Sequence, residues 1–166
     1  MPELPEVETV RLTLAPVLGR KVKSVWTSGK KLRLGRPIDL DGLESTALGR
    51  SVRDVRRIGK YLLVDFRGTE DSILVHLGMS GRLRLVGRDE PLAKHTHVVL
   101  GLAGCDRREL RFSDPRRFGQ FEVAAAGGAA HPALVKLGPD PLTVGIDPVE
   151  LHARLKRSAR SIKGLI

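Results

Sequence analysis

The first residues of the chain combine groups that can carry out amine chemistry. Pro2 follows the initiator methionine, which is normally removed before a small residue, so the mature chain is expected to begin with a secondary amine. An α-amine titrates near ~8, so a usable fraction is a neutral nucleophile at neutral pH. Glu3 and Glu6 are three residues apart and share a face if this segment is helical. An amine beside two carboxylates suits Schiff-base chemistry, although proline and glutamate are also ordinary residues of a first helical turn.

The charge of the chain points to a polyanionic partner. Its 166 residues carry 29 Lys and Arg against 19 Asp and Glu, a formal net charge of +10. This excess favours nucleic acid, with an anionic membrane surface as the second choice. Basic residues cluster within residues 50–60, 107–117 and 154–163. For the first two clusters, a solvated face with paired charges fits as well as phosphate contact. The third cluster contains no acid, so phosphate contact is favoured there.

Two turns carry side chains that could enter a nucleic-acid duplex. In residues 113–119, Asp-Pro sets a stiff corner from which Arg116, Arg117 and Phe118 project. A ring and two guanidinium groups on a rigid loop suit insertion into a duplex, although a phenylalanine folded back into the core is the commoner arrangement. Met79 lies at the apex of a second glycine-flanked turn, where it fills the core or meets another surface.

Three further candidates give weaker signals. Lys60 begins an apolar strand and matters only if a phosphate comes near, since such a lysine is usually solvated. Residues 94–97 contain one H-x-H pair, for which phosphate contact and a solvated loop are alternatives to metal binding. Cys105 is the only cysteine, which excludes a disulfide or a cysteine-based zinc finger within this chain. No metal site is therefore predicted.

An α+β fold is needed to position these residues. Apolar residues at spacings of three and four predict a helix over residues 3–15, and a short helix is expected over residues 39–48. Between them the period changes to two, with residues 31–34 as the expected hairpin partner of the first strand. We predict an N-terminal helix, an antiparallel β-sandwich of about eight short strands, and then the start of a helical region. The predicted strands are residues 21–26, 51–56, 60–66, 72–77, 82–86, 97–102, 109–112 and 120–123.

The predicted domains are a sandwich over residues 1–125, a linker over residues 126–146 and the start of a helical region over residues 147–166. Asp147 and Pro148 are a helix N-cap and first position, and Ser161 is expected to cap a further helix. The last residues open an apolar segment with no stop signal, so a fragment of a longer protein is expected. The sequence has neither a signal peptide nor a membrane-spanning apolar run, and the cytoplasm is the expected compartment.

Taken together, these motifs closely resemble the formamidopyrimidine-DNA glycosylase family, bacterial enzymes that excise 8-oxoguanine and ring-opened purines. The opening favours this branch over the endonuclease VIII relatives. Matching stretches run in the family's order through residues 1–9, 59–63, 76–81, 94–95, 114–119, 137–142 and 161–163. The resemblance implies base-excision repair of oxidised purines in double-stranded DNA by a glycosylase that also cleaves abasic sites through β- and δ-elimination. A monomer in the bacterial cytoplasm is expected.

The resemblance also implies catalytic roles. Pro2 would attack C1′ of the damaged nucleotide and expel the base. Glu3 would be the general acid that helps open the sugar, and Glu6 would support proton transfer or position the site. Lys60 would hold a phosphate by the lesion and assist strand cleavage.

Other roles in the family concern DNA binding. The residues that would fill the gap left by a flipped nucleotide are Met79, Arg116 and Phe118, with Arg116 addressing the estranged cytosine. The residues expected to bind DNA are His95, Arg116, Arg117, Arg157 and Lys163. Of these, His95, Arg117 and Lys163 would grip phosphates. The resemblance makes residues 1–125 the catalytic domain and residues 147–166 the truncated start of a helix–two-turn–helix DNA-binding domain. Relatives continue through that module into a four-cysteine zinc finger. No cofactor is expected in this chain, and zinc is expected only in that missing finger.

Two other functions are alternatives to this one. A non-catalytic or decayed module that binds DNA lesions would use the same basic surface without the amine. An N-terminal-proline tautomerase is disfavoured, because those chains are much shorter and need no surplus of positive charge. Ser158 and Ala159 stand where relatives usually carry positive charge. Without the downstream module, weak DNA binding and little activity are expected of this chain.

Overall fold

Antiparallel strands in two four-stranded sheets form the body of the protein. The computed structural model describes residues 2–32, 35, 37–104, 108–138, 140, 145 and 147–159. Within these residues the strands are β1 Val22–Thr27, β2 Val52–Ile58, β3 Tyr61–Phe66, β4 Ser72–His76, β5 Arg82–Gly87, β6 Thr96–Leu102, β7 Arg108–Ser113 and β8 Gln120–Ala124. One sheet has the order β1-β6-β7-β5 and the other β2-β3-β4-β8. The predicted α+β fold with an antiparallel sandwich is confirmed.

The core lies between the two sheets, because alternate side chains of each strand point inward. Leu62, Val64 and Phe66 of β3 belong to this main cluster. Leu63, on the opposite face of β3, belongs to a smaller cluster that includes Leu134. Strands buried on both faces read as continuous apolar runs rather than as alternating ones, and this is the pattern of β3 and β4.

Four α-helices occur in the described residues: α1 Leu4–Thr13, α2 Leu40–Ala47, α3 Pro132–Val135 and α4 Pro148–Lys156. Helix α1 buries Val7, and a 3₁₀ turn at Ala15–Val17 continues from it. Asp39 is the N-cap of helix α2, and its side chain accepts a hydrogen bond from the Gly42 N–H at 3.0 Å. The helices predicted over residues 3–15 and 39–48 are confirmed, whereas α3 was not predicted.

The predicted hairpin partner of β1 is wrong for its described residues. Lys31 and Leu32 are not in a strand, and residues 33 and 34 lie outside the described part of the chain. Strand β1 pairs instead with β6, with Trp26 opposite Val99. Because β6 is an apolar strand far away in sequence, local spacing could not reveal this pairing. Leu32 is buried in the core.

The chain divides into a first unit, Met1–Val135, and a second unit, Lys136–Ile166. In the second unit, Asp147 caps α4 as predicted, since its side chain accepts a hydrogen bond from the Val149 N–H at 2.8 Å. The predicted turn over residues 137–142 lies largely outside the described residues, and Ser161 lies wholly outside them. The predicted domain limits stay a prediction. No helix in the described residues is long and apolar enough to cross a membrane.

Candidate active site

The start of α1 lies against the turn between β2 and β3. Lys60, in that turn, donates from its Nζ to Glu3 Oε2 at 2.7 Å. Glu6 Oε2 in turn accepts a hydrogen bond from the Glu3 backbone N–H at 3.0 Å. Pro2 is half-buried and is bonded directly to Glu3, the N-cap of α1. Three of the four predicted catalytic residues are thus linked by direct contacts, and the fourth is their neighbour in the chain.

The contact between Lys60 and Glu3 positions groups more than it stabilises the fold. The two side chains are 32% and 51% exposed. An ion pair this exposed contributes less than about 1 kcal/mol, because water screens it. Its consequence is geometric: an ammonium group and a carboxylate are held together beside Pro2.

A buried ion pair holds α1 to the same turn. Arg57 donates from Nε to Glu8 Oε2 at 2.7 Å, and its side chain is only 3% exposed. Arg57 also donates to the Gly59 carbonyl at 3.1 Å. Arg11 holds the other oxygen of Glu8 at 2.7 Å. The hydrogen bond from Arg11 lowers the pKa of Glu8; burial opposes this shift, and Arg57 adds to it.

Sequence reasoning missed this support, because it counted Arg57 only as a member of a basic cluster. The available signal was Glu8, a third acid of the family-like opening, two residues after Glu6. Since Arg57 lies just before Gly59 and Lys60, the pair with Glu8 sets where Lys60 meets the start of α1.

The two predicted insertion turns present their apolar side chains to solvent. Met79 is 48% exposed and Phe118 is 47% exposed. The Arg116 guanidinium carbon lies 4.8 Å from the centroid of the Phe118 ring, a cation–π contact. The alternatives in which Met79 or Phe118 fills the core are therefore wrong. Exposed large apolar side chains on neighbouring rigid turns indicate a surface that meets a partner.

Asp114 joins these two turns, although it is fully buried. Its Oδ1 accepts hydrogen bonds from Ser80 Oγ at 2.6 Å and from the Arg116 N–H at 3.2 Å. Its Oδ2 accepts from the Gly119 N–H at 2.7 Å. One carboxylate therefore shapes its own turn and fastens that turn to the one carrying Met79. The sequence predicted a stiff Asp-Pro corner but not this connection.

His97 also holds the turn that starts at Asp114. It is buried, and its Nε2 lies 3.0 Å from the Asp114 carbonyl, which can only accept. Nε2 therefore carries the proton, and in the neutral ring Nδ1 accepts from Ser28 Oγ at 3.0 Å. Burial lowers the pKa of His97. Within the H-x-H pair, His97 therefore has a structural role, since both of its ring nitrogens make hydrogen bonds inside the fold. No cluster of three metal-ligating side chains occurs among the described residues.

We expect His97 to make stability depend on pH. Its lowered pKa means that the unfolded chain binds more protons than the folded chain over the interval below about 6.5. The stabilising contribution is therefore complete above that pH and is lost as pH falls towards the folded pKa. Urea unfolding at several pH values should show a shallower acid loss in His97→Gln, whose amide can still donate to Asp114. Equal pH dependence in the two proteins would contradict this.

Many of the clustered basic residues are used inside the fold. Arg56 contacts Asp65 at 2.5 Å, and the side chain of Asp65 is buried. Burial raises the pKa of Asp65, but hydrogen bonds from Arg56 and Ser72 outweigh this and hold it below its ordinary value. Arg111, which is buried, donates to Glu109 at 2.8 Å. The paired-charge alternative therefore holds for these members of the first two clusters.

The remaining predicted DNA ligands fall on both units. Arg116 and Arg117 are exposed and His95 is half-buried, all in the first unit. Arg157 is exposed at the end of α4 in the second unit, and Lys163 lies outside the described residues. The third cluster contains no acid, and the preference for phosphate contact over paired charge is wrong at Arg154, which contacts Glu150 of the same helix at 2.5 Å.

The fold and the site define an α+β domain in which an N-terminal helix brings a proline, an acid and an ammonium group together on a β-sandwich with two joined, exposed turns. Residues 1–121 match the family model of the formamidopyrimidine-DNA glycosylase N-terminal domain. The chain belongs to the formamidopyrimidine-DNA glycosylase family, and the resemblance seen in the sequence is confirmed.

Similar proteins cover nearly all of this chain. It is 44% identical over 165 residues to the formamidopyrimidine-DNA glycosylase of Shewanella denitrificans, covering 98% of this chain and 58% of that protein. It is 43% identical over 169 residues to that of Methylococcus capsulatus, covering 100% and 59%. A Lactococcus lactis relative solved with DNA containing an abasic site superimposes with a TM-score of 0.83 at 30% identity, covering 98% and 59%. The chain spans about three fifths of the length of these curated relatives.

Proposed function

We propose that this chain is the catalytic N-terminal portion of a DNA-repair glycosylase that removes oxidised purines and then cleaves the strand. Most support comes from the 2.7 Å contact between Glu3 and Lys60 directly beside Pro2. An acid, an ammonium group and a secondary amine in one place suit attack on a sugar carbon next to a phosphate. Family membership supports the same substrate class.

In the proposed reaction, the Pro2 nitrogen forms a bond to C1′ of the damaged nucleotide, and the bond from C1′ to the base breaks. Glu3 donates a proton to the sugar ring oxygen, so the ring opens and an iminium ion forms. Glu6, which holds the Glu3 backbone, supports this proton transfer or the position of the groups. The departing base carries away the electron pair of the broken bond and takes up a proton.

Strand cleavage follows from the charge of the iminium ion. It acidifies C2′, and loss of a C2′ proton expels the 3′ phosphate in β-elimination. A second elimination expels the 5′ phosphate. The Lys60 ammonium would stabilise the phosphate charge near the lesion. This chemistry requires no cofactor in this chain, and zinc is proposed only for the finger of longer relatives.

The exposed turns are the proposed means of reaching C1′. A base must leave the stack before its sugar can meet an enzyme nucleophile, which costs a few kcal/mol. Met79, Arg116 and Phe118 would occupy the gap, with Arg116 facing the estranged cytosine. His95, Arg117 and Lys163 would bind phosphates, and Arg157 would add a further DNA contact. We propose a monomer that acts on double-stranded DNA in the bacterial cytoplasm.

Borohydride trapping tests this function directly. The mature chain is incubated with a duplex containing either an abasic site or 8-oxoguanine, and borohydride then reduces any Schiff base to a stable covalent adduct. We expect an adduct whose peptide map places the DNA on Pro2. A chain that binds the duplex but forms no adduct would instead be a non-catalytic lesion-binding module. An adduct on another amine would overturn the role of Pro2.

A further inference from the structure

We infer that Arg82, at the start of β5, is an additional DNA-phosphate ligand on the side of the exposed turns opposite His95. The inference rests on the proposed function, since it adds a contact to the same DNA surface. Three observations carry it: the place of Arg82 in the sheet, the lack of a neutralising partner for it among the described residues, and the burial of Asp114.

The sheet register places Arg82 beside the base of the Phe118 turn. Ser113, the last residue of β7, pairs with Arg82 of β5 on one side and with Thr96 of β6 on the other. Neighbouring strands lie about 4.8 Å apart, so Arg82 and Thr96 flank the middle strand at similar distances. Residues 114–119 leave from Ser113 directly. The turn that carries Phe118 thus rises between Lys94 and His95 on one side and Arg82 on the other.

Arg82 also lies close to the second exposed turn. It comes three residues after Met79, and the turn between them is closed by a hydrogen bond from the Gly81 N–H to the Leu77 carbonyl at 2.8 Å. Ser80, two residues before Arg82, is fastened to Asp114. Since both turns are fixed to one another, Arg82 is held at a constant place relative to Met79 and Phe118.

The charge of Arg82 is not neutralised by any carboxylate in the described residues. Its side chain is exposed, and no ion pair joins it to an acid there. The three segments that meet at this end of the sheet, residues 76–82, 93–97 and 113–119, contain a single acid, Asp114. That carboxylate is fully buried and accepts three hydrogen bonds, so it is not available to surface cations.

Arg84 provides a contrast on the same strand. It is 61% exposed, lies two residues further from the turns, and its Nη1 is 3.6 Å from Glu90. Arg82, in comparison, is exposed at the end of β5 nearer the turns, and no carboxylate of the described residues neutralises its charge. A guanidinium group binds phosphate through paired hydrogen bonds and positions a duplex without reading its sequence. A phosphate on the β5 side of the opened base pair is therefore the expected ligand of Arg82.

The salt dependence of DNA binding tests this assignment. Fluorescence anisotropy of the full chain with a duplex containing an abasic-site analogue would be measured over a range of salt concentrations. We expect Arg82→Gln to reduce the slope of log K against log salt by about 0.9, the value for one lost phosphate contact. Arg84→Gln is the matched control and should change the slope much less. Arg82→Lys should recover most of the wild-type slope, because it retains the charge.

The possible failures can be told apart. If wild type binds the duplex and forms the borohydride adduct, but Arg82→Gln and Arg84→Gln have equal slopes, the inference is overturned and the proposed function stands. If wild type neither binds the duplex at the lowest salt concentration nor forms the borohydride adduct, the proposed function fails and the inference fails with it. Thermal unfolding of both variants should match wild type, since each replaces an exposed side chain.

Discussion

A chain whose Pro2 nitrogen is joined to a preceding residue is expected to form no borohydride adduct. A lysine inserted between Met1 and Pro2 would prevent removal of the methionine and leave Pro2 in an amide. The nitrogen lone pair of an amide is delocalised into the carbonyl group, so it cannot attack C1′. The exposed turns lie on other elements, so DNA affinity should stay near that of wild type. Adduct yield and anisotropy, measured on the same preparation, separate the two effects.

A cleavable extension provides the control. An N-terminal tag that ends in a protease site directly before Pro2 should prevent the adduct, and proteolysis should restore it. Recovery would show that the extension acts on the amine and not on folding. An adduct of undiminished yield in the uncleaved protein would instead assign the nucleophile to another amine, with Lys60 the first to examine by peptide mapping because of its contact with Glu3.

The strands were predictable because their signals are local. Period-two alternation and glycine punctuation located all the strands that the structure describes to within a few residues. The pairing of β1 was not predictable in this way. Its partner β6 lies some seventy residues further along the chain, with Trp26 opposite Val99, and nothing in the local sequence marks that contact. The expected hairpin at residues 31–34 was the nearest local choice.

The polar support of the site was the part that sequence reasoning could not supply. Charged residues are usually exposed. The sequence therefore indicates only that Arg57 belongs to a basic cluster and that Asp114 forms the corner of a turn. Both are buried, because Glu8 neutralises Arg57 while Ser80 and backbone N–H groups satisfy Asp114. Such burial depends on partners that only the folded chain brings together. The reactive groups could be named from the sequence, but what holds them in place could not.

Joining the two exposed turns leaves no room for a side chain at Gly78, so Gly78→Ala is expected to be strongly destabilising. Gly78 has φ +63°, and an added Cβ would lie 2.6 Å from the Gly119 nitrogen and 2.6 Å from the Phe118 carbonyl carbon. The left-handed backbone costs about 1–2 kcal/mol with a side chain, and overpacking adds about 1–3 kcal/mol. We therefore expect the free energy of unfolding, measured in urea, to fall by about 3 kcal/mol.

Gly68→Ala is the matched control for this prediction. Gly68 has φ +79°, but an added Cβ there meets no atom within 4 Å, so only the backbone cost of about 1–2 kcal/mol applies. The difference between the two variants measures how tightly the Met79 and Phe118 turns are packed together. If that packing positions both side chains for DNA, Gly78→Ala should also weaken duplex binding under conditions where it remains folded, whereas Gly68→Ala should not. Equal losses of stability in the two variants would mean that the turns can separate at little cost, and the rigid insertion surface proposed for Met79, Arg116 and Phe118 would have to be abandoned.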